Sequence, residues 1–175
     1  MKDNKLIAEF AEFNRAMLNI EINNLKTENQ MKYCKTRDVK SPTRGHYRDA
    51  GIDFFVPNDF LETTIKPGRQ LIIDSGVKID VPEGYALVAF NKSGIATKKQ
   101  LLVGACVVDH GYQGSIHLNV HNVGTLEQLV EPGEKLVQFI LLPLGDPSLE
   151  LVEEDKLFTS NSERGDGKFG STGSH

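Results

Sequence analysis

Two hydrophobic textures divide the chain. Over residues 3–29, Leu6, Phe10, Phe13, Met17 and Ile20 recur at spacings of four and three, and Ile7, Leu18, Ile22 and Leu25 widen the stripe. At 3.6 residues per turn these positions share one face, so the segment reads as an amphipathic helix that Asp3 or Asn4 can cap. From about residue 31 the pattern shortens. Runs such as LIIDSGVKIDV, YALVAF, ACVVD, IHLNVHN and KLVQFILLPL alternate with KPGR, VPEGY, DHGYQG and EPGEK. Many short apolar runs closed by Pro-Gly and Gly turns predict an all-β domain: a sandwich, barrel or jelly roll. Beyond Leu157 the periodicity stops. The final stretch RGDGKFGSTGSH, residues 164–175, is glycine-rich with one aromatic, Phe169. Such a strip cannot fill a core and loses much entropy on ordering. It is either a loose terminus or a flap that orders over a ligand. Three parts follow: a helical extension over 1–30, a β core over 31–157 and an arm over 158–175. No internal repeat is visible.

Composition narrows the choice a little. A chain of 175 residues can bury a sizeable core as one domain. Its net charge of −4 gives no support to a role in coating nucleic acid, although a local site for a small phosphate needs no net positive charge. No apolar run is long enough to cross a membrane, and the N-terminus lacks a signal-peptide pattern. Cys34 and Cys106 are the only cysteines, so neither a disulfide framework nor a paired-cysteine metal motif is present, and a reducing cytoplasm is expected.

Five segments carry candidate chemistry, each with a plainer reading beside it. AGIDF, residues 50–54, reads as a strand edge bearing one carboxylate, Asp53, which by itself is most simply a solvated surface acid. In NKSGIA, residues 91–96, Lys92, Ser93 and Gly94 offer a cation, a hydroxyl and an unobstructed backbone N–H, a set that suits a phosphate. The plain reading is a strand-to-helix turn. In VVDHGYQG, residues 107–114, Asp109 at the mouth of an expected hairpin turn is placed to act as a general base for water, and Tyr112 to form a flat wall. The alternative is a turn Asp and a packed Tyr. In GEKLVQF, residues 133–139, Gln138 must find hydrogen bonds, from a backbone group or from a ligand oxygen. In the terminal strip, Arg164, Ser171 and Thr172 are suited to clasp an anion, and Phe169 to stack on a flat ring.

Taken in order, these five segments resemble the five motifs of the trimeric dUTPases, the deoxyuridine triphosphate nucleotidohydrolases. The likeness spans residues 50–173, with RGDGKFGSTG the most specific match; residues 1 to about 30 lie outside it. The resemblance implies a jelly-roll-like β-barrel assembled as a homotrimer, with active sites at subunit interfaces and the C-terminal arm of one subunit closing a site built by two others. It implies hydrolysis of dUTP to dUMP and pyrophosphate by in-line attack of water on the α-phosphorus, with Mg²⁺ on the triphosphate. Residue by residue, Asp109 would activate the water and meet the deoxyribose 3′-hydroxyl, and Tyr112 would lie under the sugar and leave no room for a 2′-hydroxyl. Backbone groups around residues 104–112 would read uracil. Lys92, Ser93 and Gln138 would hold the phosphates, Gly94 would keep the approach clear, and Asp53 would act on the metal only through water. Arg164 would pair with the terminal phosphate, Phe169 would cover the uracil, and Gly170, Ser171 and Thr172 would complete the clasp.

Three positions depart from the family pattern. Lys92 stands where Arg is usual, Gly111 where a second Asp is frequent, and Lys168 where Gly is frequent. Lys keeps the charge but loses the planar fork. Gly111 brings the related dCTP deaminases into view, since they carry an Asp-x-Gly turn there. Their catalytic Glu on the following strand corresponds to Asn119, however, and an amide cannot shuttle a proton as a carboxylate does. They also lack the RGxGxFGSTG arm. His117 and His121 share a strand face with Asn119, but no cysteine pair accompanies them as in a zinc deaminase. A third reading is a nucleotide-switched interaction protein whose partner docks on the apolar face of the N-terminal helix; the more ordinary role for that helix is structural.

Overall fold

The structure, a computed structural model, describes residues 31–145 and 148–160 together with three helical positions, Glu12, Arg15 and Met17. The rest of the helix expected over 3–29, and the whole RGDGKFGSTG strip, lie outside the described residues. The chain divides into two units, Met1–Gly145 and Asp146–His175.

In the first unit the described residues form β1 (Lys32–Lys35), β2 (Ile52–Phe55), β3 (Thr63–Ile65), β4 (Gln70–Asp74), β5 (Val77–Asp80), β6 (Tyr85–Phe90), a short helix α1 (Ser93–Lys98), β7 (Leu101–Val103), β8 (Val107–Val108), β9 (His117–Asn122), β10 (Gln128–Val130) and β11 (Lys135–Pro143). All pairings are antiparallel, in sheets ordered β1-β5, β10-β3, β2-β11-β6-β8 and β4-β9-β7. The Pro-Gly signals sit where expected. In KPGR and EPGEK the fourth residue donates its N–H to the first carbonyl, Arg69 to Lys66 at 3.0 Å and Glu134 to Glu131 at 3.3 Å. Gly68 and Gly133 occupy the third positions with φ of 71° and 76°, the left-handed region a type II turn requires.

One core cluster draws on β2 to β7 and on β9, β10 and β11. Phe54 and Phe139 meet at its centre with ring centroids 4.6 Å apart. Leu87, Leu118, Leu136 and Val120 are fully buried, and each such side chain contributes about 1.5–3 kcal/mol of transfer free energy. The expected alternation is clear on β5, where Val77 and Ile79 are buried and Lys78 and Asp80 exposed.

β11 is the long central strand, and it carries one irregularity. Lys135 pairs with Phe55, but Val137 pairs with Phe54, so the register slips by one residue at Leu136. Leu136 and Val137 are therefore both buried in succession. A bulge of this kind inverts the facing of everything beyond it. Lys135 and Gln138, three apart, come to stand opposite Phe55 and Asp53, which are two apart and share a face.

DHGYQG differs from the expected hairpin. The strands on its two sides belong to different sheets: β8 pairs with β6, while β9 lies between β4 and β7. The segment is a tight turn within a connection between sheets. Strands of two and six residues, VV and HLNVHN, carry no signal of which neighbour each will choose, so sequence proximity suggested a pairing that the core does not make.

In the second unit the described residues form a short 3₁₀ turn over Glu154–Lys156, and Leu149, Leu151 and Phe158 are exposed.

Candidate functional site

Asp53, Lys92, Asp109, Tyr112 and Gln138 line two clefts, and Ser93 and Gly94 line neither. One, of about 230 Å³, is lined by residues that include Cys106, Asp109, Tyr112, Ser115, His117 and Phe139. The other, of about 410 Å³, is lined by residues that include His46, Asp49, Asp53, Lys92, Lys135 and Gln138. They share no lining residue. Phe139 and Gln138 are adjacent on β11 and project to opposite sides, as successive strand residues must.

The first cleft is built around the turn that follows β8. Tyr112 donates its N–H to the Asp109 carbonyl at 3.3 Å, and Gly111 supplies the positive φ of 82°. A ring nitrogen of His110 donates to the Val81 carbonyl at 2.7 Å and anchors the turn from outside. The Tyr112 hydroxyl donates to the Ser115 carbonyl at 3.1 Å. A Cβ on Gly114 would lie 2.5 Å from Cζ of Tyr112, so only glycine lets the phenol ring lie down on the backbone here. The result is an exposed carboxylate and a fixed aromatic wall side by side. That pairing suits water activation next to a bound ring.

The second cleft is held together by charge. Asp53 is 5 % exposed, and its backbone pairs with Thr43 in both directions. Lys92 Nζ meets its Oδ1 at 2.8 Å and Lys135 Nζ its Oδ2 at 3.3 Å. The expectation of a solvated surface acid is thus overturned: the loop ahead of β2 pairs alongside Asp53 at Thr43, and a carboxylate so buried needs the two ammonium groups. Lys92 is the N-cap residue of α1, and its carbonyl accepts from the N–H of Ile95 and Ala96, both at 2.9 Å. NKSGIA is therefore the strand-to-helix turn of the plainer reading, and also the wall of a cleft. Ser93 and Gly94 beside it are exposed, with open space around the Gly94 Cβ position.

Gln138 takes the backbone option: its Nε2 donates to the Asn91 carbonyl at 2.8 Å. Asn91 Oδ1 in turn accepts from the Val103 N–H at 2.7 Å. The side chain on β11 thereby fixes the residue ahead of Lys92, and Asn91 fixes that loop to β7. A Cβ on Gly51 would sit 2.2 Å from Gln138 Oε1, which explains the glycine of AGIDF. On the loop before it, Asp49 Oδ2 accepts from the His46 N–H at 2.8 Å, while the Asp49 N–H donates to the His46 carbonyl at 3.1 Å.

Sequence reasoning missed Gly51, Asn91 and Lys135. The first two leave no chemical signal, being a backbone clearance and a loop tether. Lys135 stood in plain view within GEKLVQF, but ordinary alternation puts it on the face away from Gln138. Asn119 is 7 % exposed, does not line the Asp109 cleft, and leaves its Oδ1 unpartnered against Gly104. It offers no acid or base to a pyrimidine there. Among the described residues no group of three His, Cys, Asp or Glu is placed to cage a metal ion, and both Asp53 oxygens are already taken. The donors present fit a cation that arrives bound to phosphate oxygens. No described helix is long and apolar enough to cross a membrane. Arg164, Phe169, Gly170, Ser171 and Thr172 lie outside the described residues.

The family model described as dUTPase matches residues 37–173. A deoxyuridine 5′-triphosphate nucleotidohydrolase of Mus musculus is 38 % identical over 134 residues, covering 76 % of this chain and 78 % of the relative. One of Hydrogenobaculum sp. is 35 % identical over 126 residues, covering 71 % and 83 %. Among solved structures, a singly substituted dUTPase of Staphylococcus bacteriophage 80alpha, determined with dUpNHpp, superposes with a TM-score of 0.71 at 27 % identity, over 83 % of this chain and 99 % of that one.

Proposed function

The chain belongs to the dUTPase family, and from that premise we propose how its residues divide the hydrolysis of dUTP to dUMP and pyrophosphate. Asp109 accepts the proton of a water that attacks the α-phosphorus in line, and meets the sugar 3′-hydroxyl. Its exposure on the cleft wall, next to a ring held flat, is the observation that carries this reading. Tyr112 lies under the deoxyribose and excludes a 2′-hydroxyl, and backbone groups over 104–112 read the uracil. Lys92 and Ser93 hold phosphate oxygens over the open approach at Gly94. Gln138 serves the phosphates by fixing the Asn91–Lys92 loop, with its amide oxygen packed against Gly51.

A magnesium ion would arrive carried on the triphosphate and would supply charge neutralisation and a better leaving group. Asp53 would act on it only at one remove, through water, since lysines hold both carboxylate oxygens. The two clefts share no residue, which supports a jelly-roll-like homotrimer in which the Asp109 cleft of one subunit faces the Lys92 cleft of the next. The arm of a third subunit then closes over the nucleotide, with Arg164 on the terminal phosphate, Phe169 on the uracil, and Gly170, Ser171 and Thr172 completing the clasp. Residues 1–30 pack on the assembly or on a protein partner. Both cysteines are free and exposed.

The test is pyrophosphate release with Mg²⁺ from dUTP beside UTP, dCTP and dTTP, with ammonia assayed in the dCTP reaction. Release from dUTP alone is expected. Ammonia from dCTP would establish the deaminase chemistry instead, and no turnover of any nucleotide would refute the hydrolase.

A further inference from the structure

The buried carboxylate of Asp53 holds one ammonium group on each oxygen, Lys92 at 2.8 Å and Lys135 at 3.3 Å. The second contact is the looser one. Lys135 is also the more exposed side chain, 43 % against 29 % for Lys92. Its ammonium lies 5.8 Å from the centroid of the Phe55 ring, at the edge of cation–π range, and the side chain lines the cleft that also contains Gln138. We propose that Lys135 is a second phosphate-binding cation of this site, and that Lys92 and Lys135, paired across Asp53, together replace the guanidinium fork usual at position 92. This rests on the reading of the cleft as the dUTP phosphate site.

The charge arithmetic favours it. Two ammonium groups side by side repel, and a shared carboxylate makes their proximity tolerable. Two cations and one anion leave the Asp53 trio one unit positive, and the other carboxylate of the cleft, Asp49, is engaged on its own loop by the His46 N–H. A lone lysine at position 92 offers a point charge, whereas arginine offers parallel donors fixed in a plane. A second ammonium a few ångströms away restores the ability to grip two oxygens at once. The bulge at Leu136 is the structural device. Without the extra residue Lys135 would face away from Asp53, and bulges recur next to sites because they re-aim a side chain.

The plainer role for Lys135 is neutralising Asp53, and binding measurements on the full chain separate the two. Titrating wild type, Lys135→Met, Lys135→Arg, Lys92→Arg and the Lys92→Arg/Lys135→Met double variant with dUpNHpp, and separately with deoxyuridine, reads the phosphate contribution alone. Lys135→Met should weaken dUpNHpp about tenfold, the worth of one charge-assisted contact, and leave deoxyuridine within about twofold. Lys135→Arg should restore binding. With Arg at position 92 the same loss should shrink to about threefold or less, since the fork no longer needs a second cation. Equal weakening of both ligands, unchanged dUpNHpp binding, or an undiminished loss beside Arg at position 92 would overturn the paired-cation role. A wild-type chain that neither binds dUpNHpp nor releases pyrophosphate from dUTP would remove the dUTP assignment itself.

Discussion

Replacing Gly51 by Ala adds one methyl group at a point where the structure has no room for it. The new Cβ would lie 2.2 Å from Oε1, 2.9 Å from Cδ and 3.4 Å from Cβ of Gln138. Ordinary contact for such atoms begins at about 3.4 Å, so the amide must swing away by roughly an ångström. The backbone of Gly51 is not in the left-handed region, so alanine brings no φ penalty. The cost comes through Gln138. A swing of that size breaks its bond to the Asn91 carbonyl, a neutral side-chain to backbone bond worth about 1 kcal/mol. With some off-rotamer strain, the expected loss is about 1–2 kcal/mol. The loop that positions Lys92 is then untethered, so KM for dUTP should rise more than kcat falls. Urea unfolding at one fixed protein concentration, and steady-state kinetics, should be run on Gly51→Ala, Gln138→Ala and the double variant. In the Gln138→Ala background no atom remains nearer to the methyl group than the Cβ at 3.4 Å, an ordinary contact, and the change should be nearly neutral. The coupling energy should therefore be about 1 kcal/mol. Equal costs of Gly51→Ala in both backgrounds would refute the steric chain from Gly51 through Gln138 to the Lys92 loop.

Asp109→Asn should keep dUpNHpp affinity and lose about 10²–10⁴ of turnover, since an amide cannot take the water's proton; paired equilibrium binding and pyrophosphate assays check both, and undiminished turnover would remove Asp109 from the chemistry. Tyr112→Ala should raise kcat/KM for UTP relative to dUTP, because the wall against a 2′-hydroxyl is gone; an unchanged ratio would place ribose selection elsewhere. Truncation after Ser162 should depress turnover far more than the urea midpoint, and a large loss of stability without nucleotide would argue against an arm that closes over substrate. Phe139→Ala should cost about 3–5 kcal/mol by urea unfolding, as its ring fills the centre of the core against Phe54; a loss below 1 kcal/mol would mean the core collapses around the gap.

The sequence by itself determined what is local. Apolar runs and Pro-Gly turns set the strands and their ends, because strand periodicity and left-handed turn positions depend on a few consecutive residues. The ordered motifs identified the family and named Asp53, Lys92, Asp109, Tyr112 and Gln138. Tertiary structure alone decided which residues meet. Asp53 and Lys92 are 39 positions apart, and nothing local marks the acid as buried. The turn at DHGYQG joins different sheets because the flanking strands find better partners in β4, β6 and β7 than in each other. Gly51 is fixed by a side chain on another strand. Lys135 reaches Asp53 because the pairing of β11 with β2 absorbs one extra residue at Leu136. Facing along a strand is a matter of parity, and one unpaired residue reverses it. Where that residue falls is settled by the partner strand and the core behind it, not by the residues that carry the charge.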